Sequence, residues 1–134
     1  MRSKVILVSL TAILLLAVQA WPGSGSTPAP LSTPELKQAF GSGKKTVVFF
    51  INPFGRPCKE QNMILQKLHK DKGGNFNIAY VSTAKPEDQQ AFYDYGIRSL
   101  PSLVLVDKSG KISRLFPPGI QSYETLTQAL DSIK

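Results

Sequence analysis

The sequence predicts an α/β domain of three layers, a central mixed β-sheet flanked by helices. Three observations carry that expectation. Thr46–Ile51 (TVVFFI) is a continuous β-branched and aromatic run of strand length, as expected for a strand buried on both faces. Two further strand-like runs follow, Phe76–Ser82 (FNIAYVS) and Ser102–Val106 (SLVLV), with helical periodicity in the intervals. After the third, Asp107-Lys108-Ser109-Gly110 makes a tight turn into a hairpin partner at Lys111–Phe116. A chain of 134 residues with 42% hydrophobic content fits one globular domain.

Taken in order, the chain opens on a segment that does not belong to that domain. Arg2 and Lys4 form a basic start, Val5–Val18 is apolar and small, and Val18-Gln19-Ala20 offers the small residues of a cleavage site. The run is shorter than the roughly 20 residues that span a bilayer. Residues 1–20 therefore read as a signal peptide, with an uncleaved anchor as the rival, and no stable membrane span is expected after cleavage. No cysteine lies near the cleavage region to carry a lipid. Residues 21–32, WPGSGSTPAPLS, are dense in Pro, Gly and Ser and read as a flexible linker. The domain proper is expected at 33–134.

Thr33-Pro34-Glu35 is a helix start, with a hydroxyl N-cap, proline at the first position and an acid in the first turn. Gly41-Ser42-Gly43 ends that helix. Cys58–Asp71 reads as a second, with Ile64, Leu65 and Leu68 on one stripe and Gly73-Gly74 as its stop. Pro86–Tyr95 reads as a third, with Glu87 and Asp88 in its first turn and Gly96 closing it. Ser122 caps a last helix running through Ile133. Strands separated by helices imply parallel pairing through right-handed crossovers, with the final pair an antiparallel hairpin. Function in such sheets collects where strands end and helices begin. Cys58 stands at such a place.

Charge and cysteine usage narrow the function classes. Loss of Arg2 and Lys4 lowers the net charge from +7 to +5. The remaining basic residues are scattered and form no stripe interleaved with aromatics, so nucleic acid is not an expected partner. One cysteine and one histidine cannot assemble a Cys/His zinc site within one chain, and neither a metal nor a cofactor is expected. An exported domain with a single cysteine has no internal disulfide and must rely on its core. The lone thiol is then either buried and inert or there for exchange with another molecule. His69, about three turns beyond Cys58 on the same helix, lies roughly 16 Å away along the axis. That excludes a Cys-His pair within the helix and leaves His69 as a cation near its C-terminus.

Two motifs carry a resemblance. Phe54-Gly55-Arg56-Pro57-Cys58-Lys59 follows a buried strand and resembles the W-C-G-P-C-K active-site segment of the thioredoxin family. Gly96-Ile97-Arg98-Ser99-Leu100-Pro101-Ser102 resembles the segment carrying that family's cis-proline, and Asp107–Lys111 the turn of its final hairpin. The resemblance spans roughly residues 33–134 and implies a thioredoxin-like fold. It implies that Phe54 matches the tryptophan, Pro57 the proline, Cys58 the resolving cysteine and Pro101 the cis-proline, with Leu100 before it. The departures are specific. Gly55 stands where the attacking cysteine belongs, Arg56 replaces the small glycine, and Phe49 falls where the family places a buried aspartate. The family's usual first strand has no clear counterpart in residues 21–32.

In C-x-x-C chemistry the first cysteine attacks and the second, one turn on, resolves the mixed disulfide. With Gly55 in the attacking position that two-cysteine cycle is impossible. Two functions remain from the sequence. In the first, an exported protein, periplasmic if bacterial and otherwise secreted, takes part in thiol–disulfide exchange through Cys58 alone. It would form mixed disulfides with the thiols or disulfides of exported proteins, as a monomer. Thiolates are favoured at helix starts and beside cations such as Arg56 and Lys59. In the second, a non-catalytic module binds an extended peptide or partner protein in a groove of Phe54, Gly55, Arg56, Pro57, Leu100 and Pro101, and Cys58 merely packs.

Overall fold

The computed structural model describes residues 27–133. The signal-peptide reading of residues 1–20 lies outside the described residues, as does the first half of the Pro-rich stretch.

Helix α1 (Pro34–Phe40) starts as its sequence predicts: the Thr33 hydroxyl accepts the Leu36 N–H at 3.1 Å, and Pro34 opens the helix. Strand β1 (Lys45–Ile51) is buried throughout its interior. Its residues alternate between two cores. Val47 and Phe49 pack with Leu65, Leu68, Leu126 and Leu130, while Val48 and Phe50 pack with Leu36, Ala91 and Tyr95. That two-sided burial is why the TVVFFI run has no polar break. Helix α2 (Arg56–Asp71) and strand β2 (Phe76–Ser82) follow, then a 3₁₀ turn (Pro86–Asp88) and helix α3 (Gln89–Asp94). Strands β3 (Ser102–Val106) and β4 (Ile112–Leu115) and helix α4 (Tyr123–Ser132) complete the domain. Helices α2 and α4 cover one face of the sheet, and α1 and α3 the other.

The sheet order is β2-β1-β3-β4. Strands β1 and β2 are parallel, as the helical crossover between them requires, and β3–β4 is the antiparallel hairpin. The pairing of β3 corrects the sequence expectation: β3 runs antiparallel to β1. Crossover length supplies the reason. The 6 residues of α3 advance only about 9 Å, against about 23 Å for the 7 residues of β2. The chain therefore does not return to the starting end of the sheet, and β3 enters from the end where β2 leaves.

The expected Pro86–Tyr95 helix is shorter for a related reason. Asp88, buried, turns its carboxylate inward to accept the Ser82 N–H at 2.9 Å, and the first turn tightens to 3₁₀. Gly96, with φ of 67°, closes α3 at the predicted position. Edge strand β2 is thereby protected. Its outward N–H groups at Tyr80 and Ser82 are taken by the carboxylates of Glu35 (3.2 Å) and Asp88, which blunts pairing with another chain.

Within the stretch read as a linker, Thr27–Pro30 lie along the hairpin. The Ile112 N–H donates to the Thr27 carbonyl at 2.8 Å and the Ala29 N–H to that of Gly110 at 2.9 Å, around a single bridge of Pro28 with Lys111. Ala29 is buried, and the Tyr95 hydroxyl donates to the Pro30 carbonyl at 2.7 Å. Burial, followed by the neighbouring Asp94 charge, holds the Tyr95 hydroxyl well above the usual tyrosine range.

Candidate functional site

Where β1 ends, Asn52 organises the loop that launches α2. Its carbonyl accepts the Gly55 N–H at 3.0 Å and its side-chain oxygen the Phe54 N–H at 3.1 Å, an Asx-type turn. Gly55 is the N-cap, in extended conformation, and offers no side-chain oxygen to the helix. Helix α2 begins at Arg56, two residues earlier than the sequence reading. Cys58 is therefore the third residue of its first turn.

Cys58 is 5% exposed, and its Sγ accepts the Asn52 N–H at 3.4 Å. A Cβ built on Gly55 would stand 3.7 Å from that sulfur, in ordinary contact. Glycine thus strips one layer of atoms from above the thiol without laying it bare. Phe54, by contrast, is 83% exposed at the rim of the loop. Behind Cys58 lies a cavity of about 180 Å³ lined by Phe49, Ile51, Lys59, Asn62 and Tyr80 among others. Phe49 forms part of its wall, so the position matched to the family's buried aspartate supplies no carboxylate here. The Tyr80 hydroxyl donates to Asn62 at 2.8 Å and accepts from Gln66 at 2.6 Å. Burial raises its pKa, the Gln66 hydrogen bond opposes that, and the charge of Glu35 adds to it.

The second predicted segment lies beside this loop. Ser102 pairs with Phe50, so the residues before it run alongside the end of β1. The Leu100–Pro101 peptide is cis. Pro101 is buried and Leu100 half-buried, while Arg98 and Ser99 are exposed. A cavity of about 240 Å³ follows this segment, with Arg98, Ser99, Phe116 and Pro118 among its lining.

A third segment was missed by sequence reasoning. The loop after β4, Pro117–Gln121, is tied to both of the others. The Gly119 N–H donates to the Pro101 carbonyl at 3.0 Å. Gln61 of α2, fully buried, grips Gln121 twice: its Nε2 donates to the Gln121 carbonyl at 3.1 Å, and its Oε1 accepts the Gln121 N–H at 2.6 Å. Gln61 closes the groove as a backbone pair would, one turn beyond Cys58. The signal was present in the sequence. Cys58, Gln61, Leu65 and Leu68 share the buried face of α2, and a glutamine in the phase of an apolar stripe marks a buried amide in need of partners.

The end of β1, which leads into Phe54, Gly55, Arg56, Pro57 and Cys58, thus runs alongside the segment carrying Leu100 and Pro101, and Ile120, 40% exposed, stands on the added loop. His69 stays away from them, its ring edge-on to Phe76 at 5.3 Å. Among the described residues no group of three or more His, Cys, Asp or Glu could hold a metal ion. No described helix is long and apolar enough to cross a membrane.

Comparisons with known proteins agree with this architecture. A family model described as a thioredoxin-like domain matches residues 33–134. Among curated proteins the chain has no match. Among solved structures, an uncharacterized thioredoxin-like protein from Clostridium perfringens superposes with a TM-score of 0.63 at 24% identity, over 68% of this chain and 71% of the other. The exposed lipoprotein thioredoxin Etrx1 of Streptococcus pneumoniae gives 0.61 at 18% identity, over 73% and 90%. Thioredoxin-2 of a malaria parasite, described as a component of its protein secretion machinery, gives 0.58 at 20% identity, over 66% and 82%. These likenesses establish the fold, and the family match over residues 33–134 places the chain itself: it belongs to the thioredoxin-like domain family.

Proposed function

We propose that this chain is an exported thioredoxin-like protein that seats an extended segment of another exported protein in the groove of Phe54, Leu100 and Pro101, and that Cys58 is the one thiol it brings to exchange. The signal-like residues 1–20 support export. The single observation that carries the exchange reading is the glycine at 55: the atom that would screen the Cys58 sulfur at 3.7 Å is missing. In the reaction, the Cys58 thiolate attacks one sulfur of a partner disulfide. A Cys58–partner disulfide forms, the partner's own S–S bond breaks, and its second sulfur leaves as a thiolate. With no second cysteine in the chain, an external low-molecular-weight or protein thiol must then attack the mixed disulfide. That returns Cys58 as thiolate and carries the partner away on the attacking thiol.

The test is the rate of Cys58 alkylation by iodoacetamide in the folded protein, followed by mass spectrometry. Labelling well ahead of unfolding supports exchange; labelling that keeps pace with unfolding sinks it. A second reading is favoured by one observation, the 5% exposure of Cys58 with its sulfur held by the Asn52 N–H. On that reading the groove binds a partner without covalent chemistry, and replacing Cys58 with serine leaves partner capture unchanged.

A further inference from the structure

Exposed cations stand on the segments that flank the proposed groove. Arg56 and Lys59 are exposed on the first turn of α2, and Arg98 is exposed in the segment leading to Pro101. None of the three makes an ion pair among the described residues, where the only pairs are Lys67–Asp71 and Lys72–Asp131. The three converging segments, residues 52–59, 96–102 and 117–122, contain no Asp or Glu. The flanking acids are Glu60, Asp94 and Glu124, all exposed; Asp94 is held by Ser32 and Gln90, and Glu60 does not pair with Arg56 although it lies one turn on.

The arrangement is costly for the isolated chain. Helices α1 and α4 carry Glu35 and Glu124 in their first turns, where an acid is favoured. Helix α2 has no acid there and places two cations at that end instead. Cations gathered around an apolar seat, without partners of their own, are complementary to a ligand that brings carboxylates.

We propose that the occupant of the groove is an extended acidic segment of a partner protein, with carboxylates flanking the apolar side chain seated between Phe54 and Leu100. The proposal rests on the groove reading above and holds whether or not Cys58 reacts. In an extended segment, side chains alternate in direction. A repeat of one apolar and one acidic residue therefore presents both chemistries to this surface.

The test uses a short fluorescein-labelled peptide of alternating valine and glutamate, and its counterpart with glutamine for glutamate. Binding to the full chain is followed by fluorescence anisotropy at low and high salt. The glutamate peptide is expected to bind about tenfold tighter at low salt, with the advantage shrinking as salt rises. The triple variant Arg56→Gln, Lys59→Gln, Arg98→Gln should erase the difference. Equal affinity for the two peptides, or a preference that survives in the triple variant, overturns the acidic assignment. Leu100→Ser separates that failure from failure of the groove itself. It should weaken both peptides alike, and if it changes neither, or if neither peptide binds the parent chain, the groove reading falls as well.

Discussion

Gly55 decides what kind of chemistry is open to this protein. Its φ of −81° and ψ of 133° are comfortable for any residue, so backbone geometry does not demand a glycine there. A side chain is tolerable too, since the added Cβ meets the Asn52 carbonyl at 3.4 Å, the Cys58 sulfur at 3.7 Å and the Asn52 Cβ at 3.8 Å, none closer than ordinary contact. Gly55→Cys should therefore fold with stability within about 0.5 kcal/mol of the parent. Under mild oxidation it should form a disulfide with Cys58, the oxidant taking two electrons, read as a loss of two hydrogen atoms by mass. The variant should also gain insulin-reducing turnover, which the parent lacks the second thiol to sustain. A variant that stays reduced under the same oxidant would show that the loop holds the two positions apart.

At the scale of elements, the site is an agreement among three loops, and single side chains enforce it. Gln61→Leu keeps the volume in the buried stripe but leaves the Gln121 N–H and carbonyl without their partner. It should cost about 1–3 kcal/mol by chemical denaturation, and the Gln121 amide should exchange hydrogen faster than in the parent. Asp88 is the corresponding device at the sheet edge. Asp88→Ala strands the Ser82 N–H at a buried edge position. A loss of about 1–3 kcal/mol is expected, with a greater tendency to self-associate through β2, read by light scattering.

Exposed polar ties between elements add modestly to what the two cores supply, and they give the molecule a pH dependence. Asp71 joins α2 to α4; its pKa is lowered first by the hydrogen bond from Lys67 and then by that from the Tyr123 hydroxyl. Asp94 joins α3 to the segment before α1; the Ser32 hydroxyl and then Gln90 lower its pKa. A carboxylate whose folded pKa is depressed adds stability above its unfolded value, about 3.9, and that stability is lost as pH falls through the folded value. The denaturation midpoint should be level near neutrality and decline below about pH 4, with Asp94→Asn removing part of the decline. Tyr95 acts at the other limit. Its raised pKa contributes stability that is complete below the unfolded tyrosine value, about 10, and is lost as pH rises beyond it. Tyr95→Phe should flatten that alkaline decline in the same measurement.

The sequence by itself determined the elements and most of the candidate site. Residues 46–51 read as a strand covered on both faces, Thr33-Pro34-Glu35 as a helix start, and the single cysteine excluded an internal disulfide whatever the fold. Those are local properties of side-chain size, hydrogen-bonding capacity and chain stiffness, and they are legible one short segment at a time. Tertiary structure alone decided the direction of β3, because the reach of α3 matters only against the length of the sheet it must cross. It alone paired Gln61 with Gln121 and Asp88 with Ser82, since a buried polar group names its need for a partner but not the partner. It alone placed Cys58 beneath the Asn52–Gly55 loop, 5% exposed, because burial depends on how that loop folds over the first turn of α2 and not on the residue type.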